Sequence, residues 1–81
     1  MTLEDKIRTY ILENYLFTDD ASALTNDDSF LQKGIIDSTG IMEIIFFLEE
    51  QFGVVVDDDE MLPENLDSVN NIIAFIGKKK I

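Results

Sequence analysis

Apolar residues recur at helical spacing in three stretches of the chain. In the first stretch, at about 100° per residue, the apolar or small positions fall on one face and predict a helix over about residues 3–15. Thr2 followed by Asp5 is a weak form of the capping box that starts such a helix. Arg8 and Glu13 fall on the face expected to point outward. The positions of the inner face are Leu3, Ile7, Tyr10, Ile11 and Asn14.

The second stretch has the strongest pattern and predicts a helix over about residues 38–52. Asp37 and Ser38 stand at its start, where a side-chain oxygen can accept a hydrogen bond from an otherwise unpaired helix N–H group. Gly53 follows as a C-terminal cap. The stripe expected to be buried consists of Ile41, Ile44, Ile45, Leu48 and Phe52.

Two large apolar residues fall on the outer face of this helix. Met42 and Phe46 lie on the same side as Ser38, away from the buried stripe. Such a pair beside a helix start is a candidate strip for binding a partner. The alternative is that Phe46 folds back against the preceding loop as part of the core. The acidic residues around the pair are Glu43, Glu49 and Glu50.

The third stretch predicts a helix over about residues 68–76, capped by Asp67 and Ser68. Gly77 is expected to end it and the lysines at 78–80 to form a solvated tail. Its apolar face consists of Val69, Ile72, Ile73 and Ile76.

Two irregular segments separate these helices. A short helical turn is predicted over about residues 58–62 and should stop at Pro63, because the residue before a proline is biased away from helix. The long connection over residues 16–36 is expected to pack on the core, with Gly34 in a conformation that a Cβ would resist. Its anchors are Leu24, Phe30, Leu31, Ile35 and Ile36. These elements predict one all-α domain over residues 1–81.

Charge and missing residue types narrow the possible functions. Seventeen acidic residues against six basic ones give a net charge of −11, which disfavours nucleic acid and anionic membranes as partners. Between Gly34 and Gly77 there is no Lys or Arg, so this interval is either a solvated acidic face or a docking surface for basic partners. The chain has no Cys and no His, which removes disulfides, the usual zinc ligands and the usual general base.

The sequence also disfavours a calcium-binding protein and a membrane-spanning protein. Counted from Asp57, Leu62 and Ser68 occupy the sixth and twelfth positions, where a calcium-binding EF-hand loop needs Gly and Glu, so no metal site is expected. No apolar run is long enough to span a bilayer. We therefore expect a cytoplasmic monomer that is not inserted in a membrane and is not an enzyme.

Ser38 is the candidate for covalent chemistry. As a nucleophile it lacks a base, since the chain has no histidine. A hydroxyl at an exposed helix N-terminus is instead accessible to another enzyme, and a phosphate ester there would be favoured by the helix dipole. Ser38 is therefore expected to be acted upon.

The segment from Gly34 to Ser38, together with the later acidic segment from Phe47 to Gly53, resembles the acyl carrier protein family, including its peptidyl and aminoacyl carrier relatives. The resemblance implies a small four-helix bundle with three main helices, one short helix and a long first loop. It also implies that Ser38 receives a covalent 4'-phosphopantetheine from coenzyme A, with Asp37 as the other motif residue.

The resemblance further implies a carrier function. The prosthetic thiol would hold an acyl or aminoacyl group as a thioester for fatty acid, lipid or specialised metabolite biosynthesis. Partners would be a phosphopantetheinyl transferase, an acyl or aminoacyl ligase and later acyl-transfer enzymes with basic patches. Thr39 and Gly40 depart from the leucine and acid found in many carriers of fatty acid synthesis. The alternative is an acidic interaction module without a prosthetic group. The docking positions implied are Met42, Glu43, Phe46, Glu49 and Glu50.

Overall fold

The computed structural model describes residues 2–79, and within that range the regular elements are all helical. This confirms the all-α fold. The α-helices are α1 (Leu3–Ile11), α2 (Ser38–Phe52), α3 (Pro63–Leu66) and α4 (Val69–Lys79), with 3₁₀ turns at Ala21–Ala23 and Asp58–Glu60.

Helix α1 begins with the capping box expected from Thr2 and Asp5, whose side chains each bond the other residue's backbone N–H. After Ile11 the helix widens into a π-helical turn, Leu12–Leu16. The turn ends at Phe17, which has a left-handed backbone with φ of 54°. The sequence pattern covered the length of this helical segment but did not reveal the π-helical turn.

Helix α2 has the predicted ends. The Asp37 carboxylate accepts a hydrogen bond from the Gly40 N–H at 2.8 Å, which caps the N-terminus. Gly53 closes the C-terminus with φ of 67° while its N–H donates to the Glu49 carbonyl. Gly34, in the preceding loop, also has the expected positive φ, at 69°.

The prediction that Pro63 stops a short helix was wrong. The 3₁₀ turn already ends at Glu60, and Pro63 is the first residue of α3. Proline suits this first position because its fixed φ is helical and its missing N–H would have had no partner there. Leu62, immediately before it, has the extended backbone that proline imposes.

Gly77 does not end the last helix, which is a second correction. Helix α4 begins after Ser68, whose side chain caps the Asn71 N–H, and it continues to Lys79. The Lys79 ammonium lies 2.7 Å from Glu60 and 3.7 Å from Asp57. Lys79 is thus part of an ion-pair cluster rather than a solvated tail, and Lys80 lies outside the described residues.

The long connection packs down through apolar and polar contacts. Leu24, Phe30 and Ile36 are buried as expected, and Ile35 packs partly against the core. Leu31 is 40% exposed, so it is not one of the buried anchors.

Two charged side chains tie this connection to the helices. Arg8, predicted to point outward, instead donates to Asn26 and to the carbonyls of Ala21 and Leu24 at 2.6 to 2.7 Å. The Asp67 carboxylate accepts hydrogen bonds from the Ser29 hydroxyl and from the Leu31 N–H, the latter at 3.0 Å. Together they position the loop that leads to α2.

Candidate functional site

Ser38 is the first residue of α2 and is exposed to solvent. The adjacent Asp37 is also exposed, but its carboxylate is engaged with the Gly40 N–H. The first N–H groups of a helix have no partner within the helix, and their positive end of the dipole favours anions. The position therefore combines an accessible hydroxyl with a backbone that suits a phosphate ester.

Gly40 allows the start of α2 to pack tightly. A Cβ at this position would lie 2.3 Å from Ile36 Cγ2 and 3.3 Å from a ring carbon of Tyr15. The Tyr15 hydroxyl lies 3.4 Å from the Gly40 carbonyl oxygen and 3.0 Å from Glu43 Oε1. Glycine at position 40 thus has a structural reason, because the π-helical turn, the loop and α2 are in close contact here.

An apolar cleft lies beside Ser38. Its volume is about 220 Å³, and it opens to solvent. Its walls come from the long connection, from α2 and from the segment that leads into α3. The lining residues are Leu31, Ser38, Ile41, Met42, Ile45, Met61, Leu62 and Pro63.

The sequence reasoning missed most of this cleft. Met61 and Leu62 looked like parts of a short turn, and Leu31 looked like a buried anchor. All three are apolar residues in irregular segments, where no periodicity shows which side they face. Tyr15 was missed for a related reason, because the π-helical turn changes the angular spacing at the end of α1.

The outer face of α2 is apolar and acidic, as the pattern indicated. Met42 is 45% exposed and Phe46 is 65% exposed, so Phe46 does not fold back into the core. Glu43 and Glu50 are also exposed, and Glu43 accepts a hydrogen bond from the Tyr15 hydroxyl. Glu49 is partly buried and accepts a hydrogen bond from the Val56 N–H at 3.3 Å. The five positions thus lie on one helix, but two of the carboxylates already have partners in the chain.

Two further searches of residues 2–79 concern metal ligands and membrane-spanning helices. In this range no three acidic side chains come together in an arrangement that could bind a metal ion. The helices described there are also too short or too polar to cross a membrane.

The residues around Ser38 fit a phosphopantetheine group. The exposed hydroxyl can form the ester, the helix start suits the phosphate, and the apolar cleft suits the methyl groups and methylenes of the arm. When bound, the group supplies a thiol, which this cysteine-free chain does not have.

Comparisons with known proteins indicate the same prosthetic group. Residues 5–76 match the family model described as a phosphopantetheine attachment site. The chain is 30% identical over 80 residues to an acyl carrier protein of Solidesulfovibrio magneticus. This alignment covers 99% of this chain and 97% of the relative. It is 34% identical over 76 residues to a D-alanyl carrier protein of Streptococcus suis and 36% identical over 76 residues to that of Streptococcus uberis. Each of these two alignments covers 94% of this chain and 92% of the relative. The chain therefore belongs to the phosphopantetheine attachment family, as a small all-α carrier protein with a covalent 4'-phosphopantetheine.

Proposed function

We propose that Ser38 is the attachment point of the 4'-phosphopantetheine and that the chain delivers a thioester-bound acyl or aminoacyl group to partner enzymes. The observation that carries this assignment is that Ser38 is both exposed at the start of α2 and part of the lining of the apolar cleft. The arm would thus be anchored at the cleft, with its polar phosphate at the helix start.

Asp37 has a positioning role in this proposal. Its carboxylate accepts the Gly40 N–H bond, which fixes the first turn of α2 and therefore the backbone of Ser38. In the loading reaction the Ser38 oxygen would attack the phosphorus of the pantetheine phosphate of coenzyme A. The pyrophosphate bond breaks, adenosine 3',5'-bisphosphate leaves, and a phosphodiester forms at Ser38 as the hydroxyl proton is lost. We expect the transferase to supply the base for that proton, because the chain lacks histidine, the most frequent general base.

The protein itself is proposed to perform no catalysis. Ser38 would be the substrate of the transferase, and the later transfers would occur in the active sites of partners. Basic docking patches on those partners would complement the net charge of −11 and raise the rate of encounter while still allowing release. A cytoplasmic location and a monomeric state remain predictions.

The outer face of α2 is proposed as the docking face, with Met42 and Phe46 as apolar contacts. Glu50 supplies an exposed carboxylate, and Glu43 and Glu49 lie on the same helix. Since Glu49 is engaged with Val56, we expect it to contribute less to docking than Glu50.

The cargo is proposed to be acyl or aminoacyl, in line with the printed names of the relatives, which include both acyl and D-alanyl carriers. An acyl or aminoacyl ligase would then load the thiol. Fatty acid, lipid or specialised metabolite biosynthesis is the corresponding pathway class.

Incubation with coenzyme A and a broad-specificity phosphopantetheinyl transferase tests the attachment point. The intact mass should rise by one phosphopantetheine in the wild-type chain and should not change in Ser38→Ala. Ser22→Ala is the matched control, because Ser22 is also exposed but lies in the 3₁₀ turn of the first loop, and it should be loaded normally. No gain in the wild type, or a gain that persists in Ser38→Ala, would contradict the assignment and favour an interaction module without a prosthetic group.

A further inference from the structure

Phe17, at the end of the π-helical turn, has its aromatic ring in solvent. The side chain is 83% exposed, more than any other large apolar side chain in residues 2–79. A single exposed apolar side chain is common on protein surfaces and does not by itself indicate a binding site. Exposure alone therefore does not distinguish Phe17 from an ordinary surface residue.

The backbone of Phe17 is left-handed, with φ of 54° and ψ of 43°. In residues 2–79 the other positive φ angles belong to glycines, Gly34 and Gly53. Residues with a Cβ are strained in this region, because the Cβ comes too close to the following carbonyl oxygen. An aromatic residue thus holds a conformation that glycine would adopt without strain.

Hydrogen bonds fix this conformation whatever the side chain is. The N–H groups of Phe17 and Thr18 both donate to the Leu12 carbonyl, the latter at 3.0 Å, and so close the π-helical turn. Glycine is the usual residue where a left-handed backbone closes a helix. Phe17 therefore lowers stability through its backbone and regains little through burial of its ring. Strain that is kept in this way points to a function of the residue.

Phe17 lies at the end of the molecule that carries Ser38. It follows Tyr15 by two residues, a backbone separation of at most about 7 Å. The Tyr15 hydroxyl reaches the Gly40 carbonyl oxygen and Glu43 in the first turns of α2. An enzyme that takes the Ser38 hydroxyl into its active site would therefore meet the end of the protein on which Phe17 stands.

Acidic side chains flank the exposed ring. Glu13 and Asp19 line an open depression together with Phe17 and Thr18. Both carboxylates are exposed, and residues 13–20 contain no Lys or Arg. A partner that buries the Phe17 ring must therefore offer an apolar pocket bordered by positive charge.

We infer that Phe17 is an anchor for the phosphopantetheinyl transferase, outside the docking face of α2. Before loading there is no arm, so the transferase has to approach the Ser38 hydroxyl itself, whereas later partners act on the far end of the arm. The transferase also binds the negatively charged phosphates of coenzyme A, for which Lys and Arg are the usual ligands. Its active site thus has the positive charge that the acidic residues beside Phe17 require. This inference rests on the proposed attachment at Ser38.

Steady-state loading by a broad-specificity phosphopantetheinyl transferase tests the contact. Phe17→Gly removes the ring and relieves the backbone, so its urea midpoint should equal or exceed that of the wild type. Its kcat/KM for loading should nevertheless fall by about five- to thirtyfold, the usual range for a large contact at an interface. The loss should lie in the KM for the carrier, because Phe17 does not touch the reacting atoms. Phe17→Leu, which restores an apolar side chain, should recover part of the loss.

Val55→Ala is the matched control for an exposed apolar side chain. Val55 is 65% exposed and follows Gly53, so it lies past the C-terminal end of α2, away from Ser38. Its truncation should leave the KM for loading at the wild-type value.

The acidic neighbours are tested by removal of their charge. The double variant Glu13→Gln/Asp19→Asn should raise the KM for loading at low salt and not at high salt, since salt screens exposed charges. Asp58→Asn/Asp59→Asn makes the same change in net charge in the 3₁₀ turn that follows α2. This control should have the smaller effect, because it alters long-range attraction only.

Several outcomes would overturn the inference. One is an equal KM for wild type and Phe17→Gly, and another is the same rise in KM for Val55→Ala. A lower urea midpoint in Phe17→Gly would show that the ring has a structural role. A dimer in sedimentation experiments that Phe17→Gly abolishes would assign the ring to a contact between two copies of the chain. Absence of loading in the wild type is a different result, because it would contradict the proposed function itself.

Discussion

The hydroxyl of Tyr15 lies 3.0 Å from Glu43 Oε1 and thereby joins the end of the first helical segment to the outer face of α2. The same hydroxyl lies 3.4 Å from the Gly40 carbonyl oxygen, two residues after Ser38. The π-helical turn that contains Tyr15 brings it to this position. A side chain from the π-helical turn thus supports both the proposed attachment site and a proposed docking residue.

Tyr15→Phe should change the response of stability to alkaline pH. Burial raises the pKa of Tyr15 above its ordinary range, and the neighbouring Tyr10 and Glu43 raise this pKa further. The unfolded phenol ionises near pH 10, whereas the folded one stays neutral at that pH. The contribution of the neutral Tyr15 phenol to the free energy of unfolding is therefore complete below pH about 10 and is lost as the pH rises above that value.

Urea denaturation at a series of pH values from about 8 to about 11.5, a range that spans the ordinary tyrosine pKa, measures this effect. The free energy of unfolding should fall less steeply with pH in Tyr15→Phe than in the wild type. Tyr10→Phe serves as the comparison, since it removes a hydroxyl from the same aromatic cluster. Equal slopes in wild type and Tyr15→Phe would contradict the prediction.

Gly40→Ala should destabilise the protein by about 1–3 kcal/mol, because overpacking displaces well-packed neighbours. The added Cβ would meet Ile36 Cγ2 at 2.3 Å, and Ile36 is buried in the core. Gly77→Ala is a matched control within α4, where the same Cβ would meet nothing within 4 Å among residues 2–79 apart from its own chain neighbours and helix backbone. There alanine should stabilise the helix by about 0.5–1 kcal/mol. Thermal and urea unfolding of the two variants should therefore move in opposite directions.

The sequence was sufficient where local chemistry decides the structure. The stripe of α2, its Asp37 cap and its Gly53 terminus follow from helical spacing and capping residues, and the exposed Ser38 follows from them. The capping box at Thr2 is equally local.

Positions that depend on contacts distant in sequence could not be predicted in this way. Arg8 looked like a surface residue, yet its guanidinium donates hydrogen bonds to the carbonyls of Ala21 and Leu24, 13 and 16 residues later in the chain. Asp67 looked like a cap, yet its carboxylate binds the Ser29 segment, and Ser68 caps the helix instead. The cleft beside Ser38 is of this kind too, because its walls come from three segments that meet only in the fold.

Asp67→Asn should loosen the loop that contributes Leu31 to the cleft. The carboxylate accepts both the Ser29 hydroxyl and the Leu31 N–H, and a neutral amide has one acceptor oxygen rather than two. We expect a loss of about 1–3 kcal/mol of stability and faster hydrogen exchange at the Leu31 amide. Asp59→Asn, an exposed acid in the 3₁₀ turn, should leave both unchanged. Unaltered hydrogen exchange at the Leu31 amide in Asp67→Asn would show that Asp67 does not hold the loop in place.

Asp28→Asn should reduce the sensitivity of the fold to acid. Hydrogen bonds from Thr25, whose N–H lies at 3.0 Å, together with Lys33, lower the pKa of Asp28 to about 2. The unfolded carboxyl has a pKa near 3.9. Because the pKa of Asp28 is lower in the folded state than in the unfolded state, its ionised carboxylate stabilises the fold above pH about 4. This stabilisation is lost as the pH falls toward 2.

Denaturation midpoints at pH 5, 4, 3 and about 2.5 give the measurement. The decline with acid should be shallower in Asp28→Asn than in the wild type, and Asp59→Asn should retain the wild-type slope. A wild-type slope in Asp28→Asn would show that its ionisation does not differ between the folded and unfolded states.

Glu50→Lys should slow transfer between the loaded carrier and its partner enzymes. Glu50 is exposed on the same helix as Phe46, and reversal of its charge would repel a basic docking patch. Glu4→Lys makes the same change in net charge on the exposed first turn of α1, so it controls for long-range attraction. The difference between the two variants should be clear at low salt and shrink as ionic strength rises, since salt screens exposed charges.

Phe46→Ala distinguishes apolar contact from electrostatic attraction of partners on the outer face of α2. Phe46 is 65% exposed, so its truncation should cost little stability, whereas loss of an apolar contact should weaken the docked complex at any salt concentration. The expected pattern is a higher KM for the carrier in Phe46→Ala that persists at high salt, beside a salt-sensitive defect in Glu50→Lys. If both variants matched Glu4→Lys across the salt series, the outer face of α2 would not be the docking face. A defect only in Phe46→Ala would instead assign docking to apolar contact, with the acidic residues serving solubility.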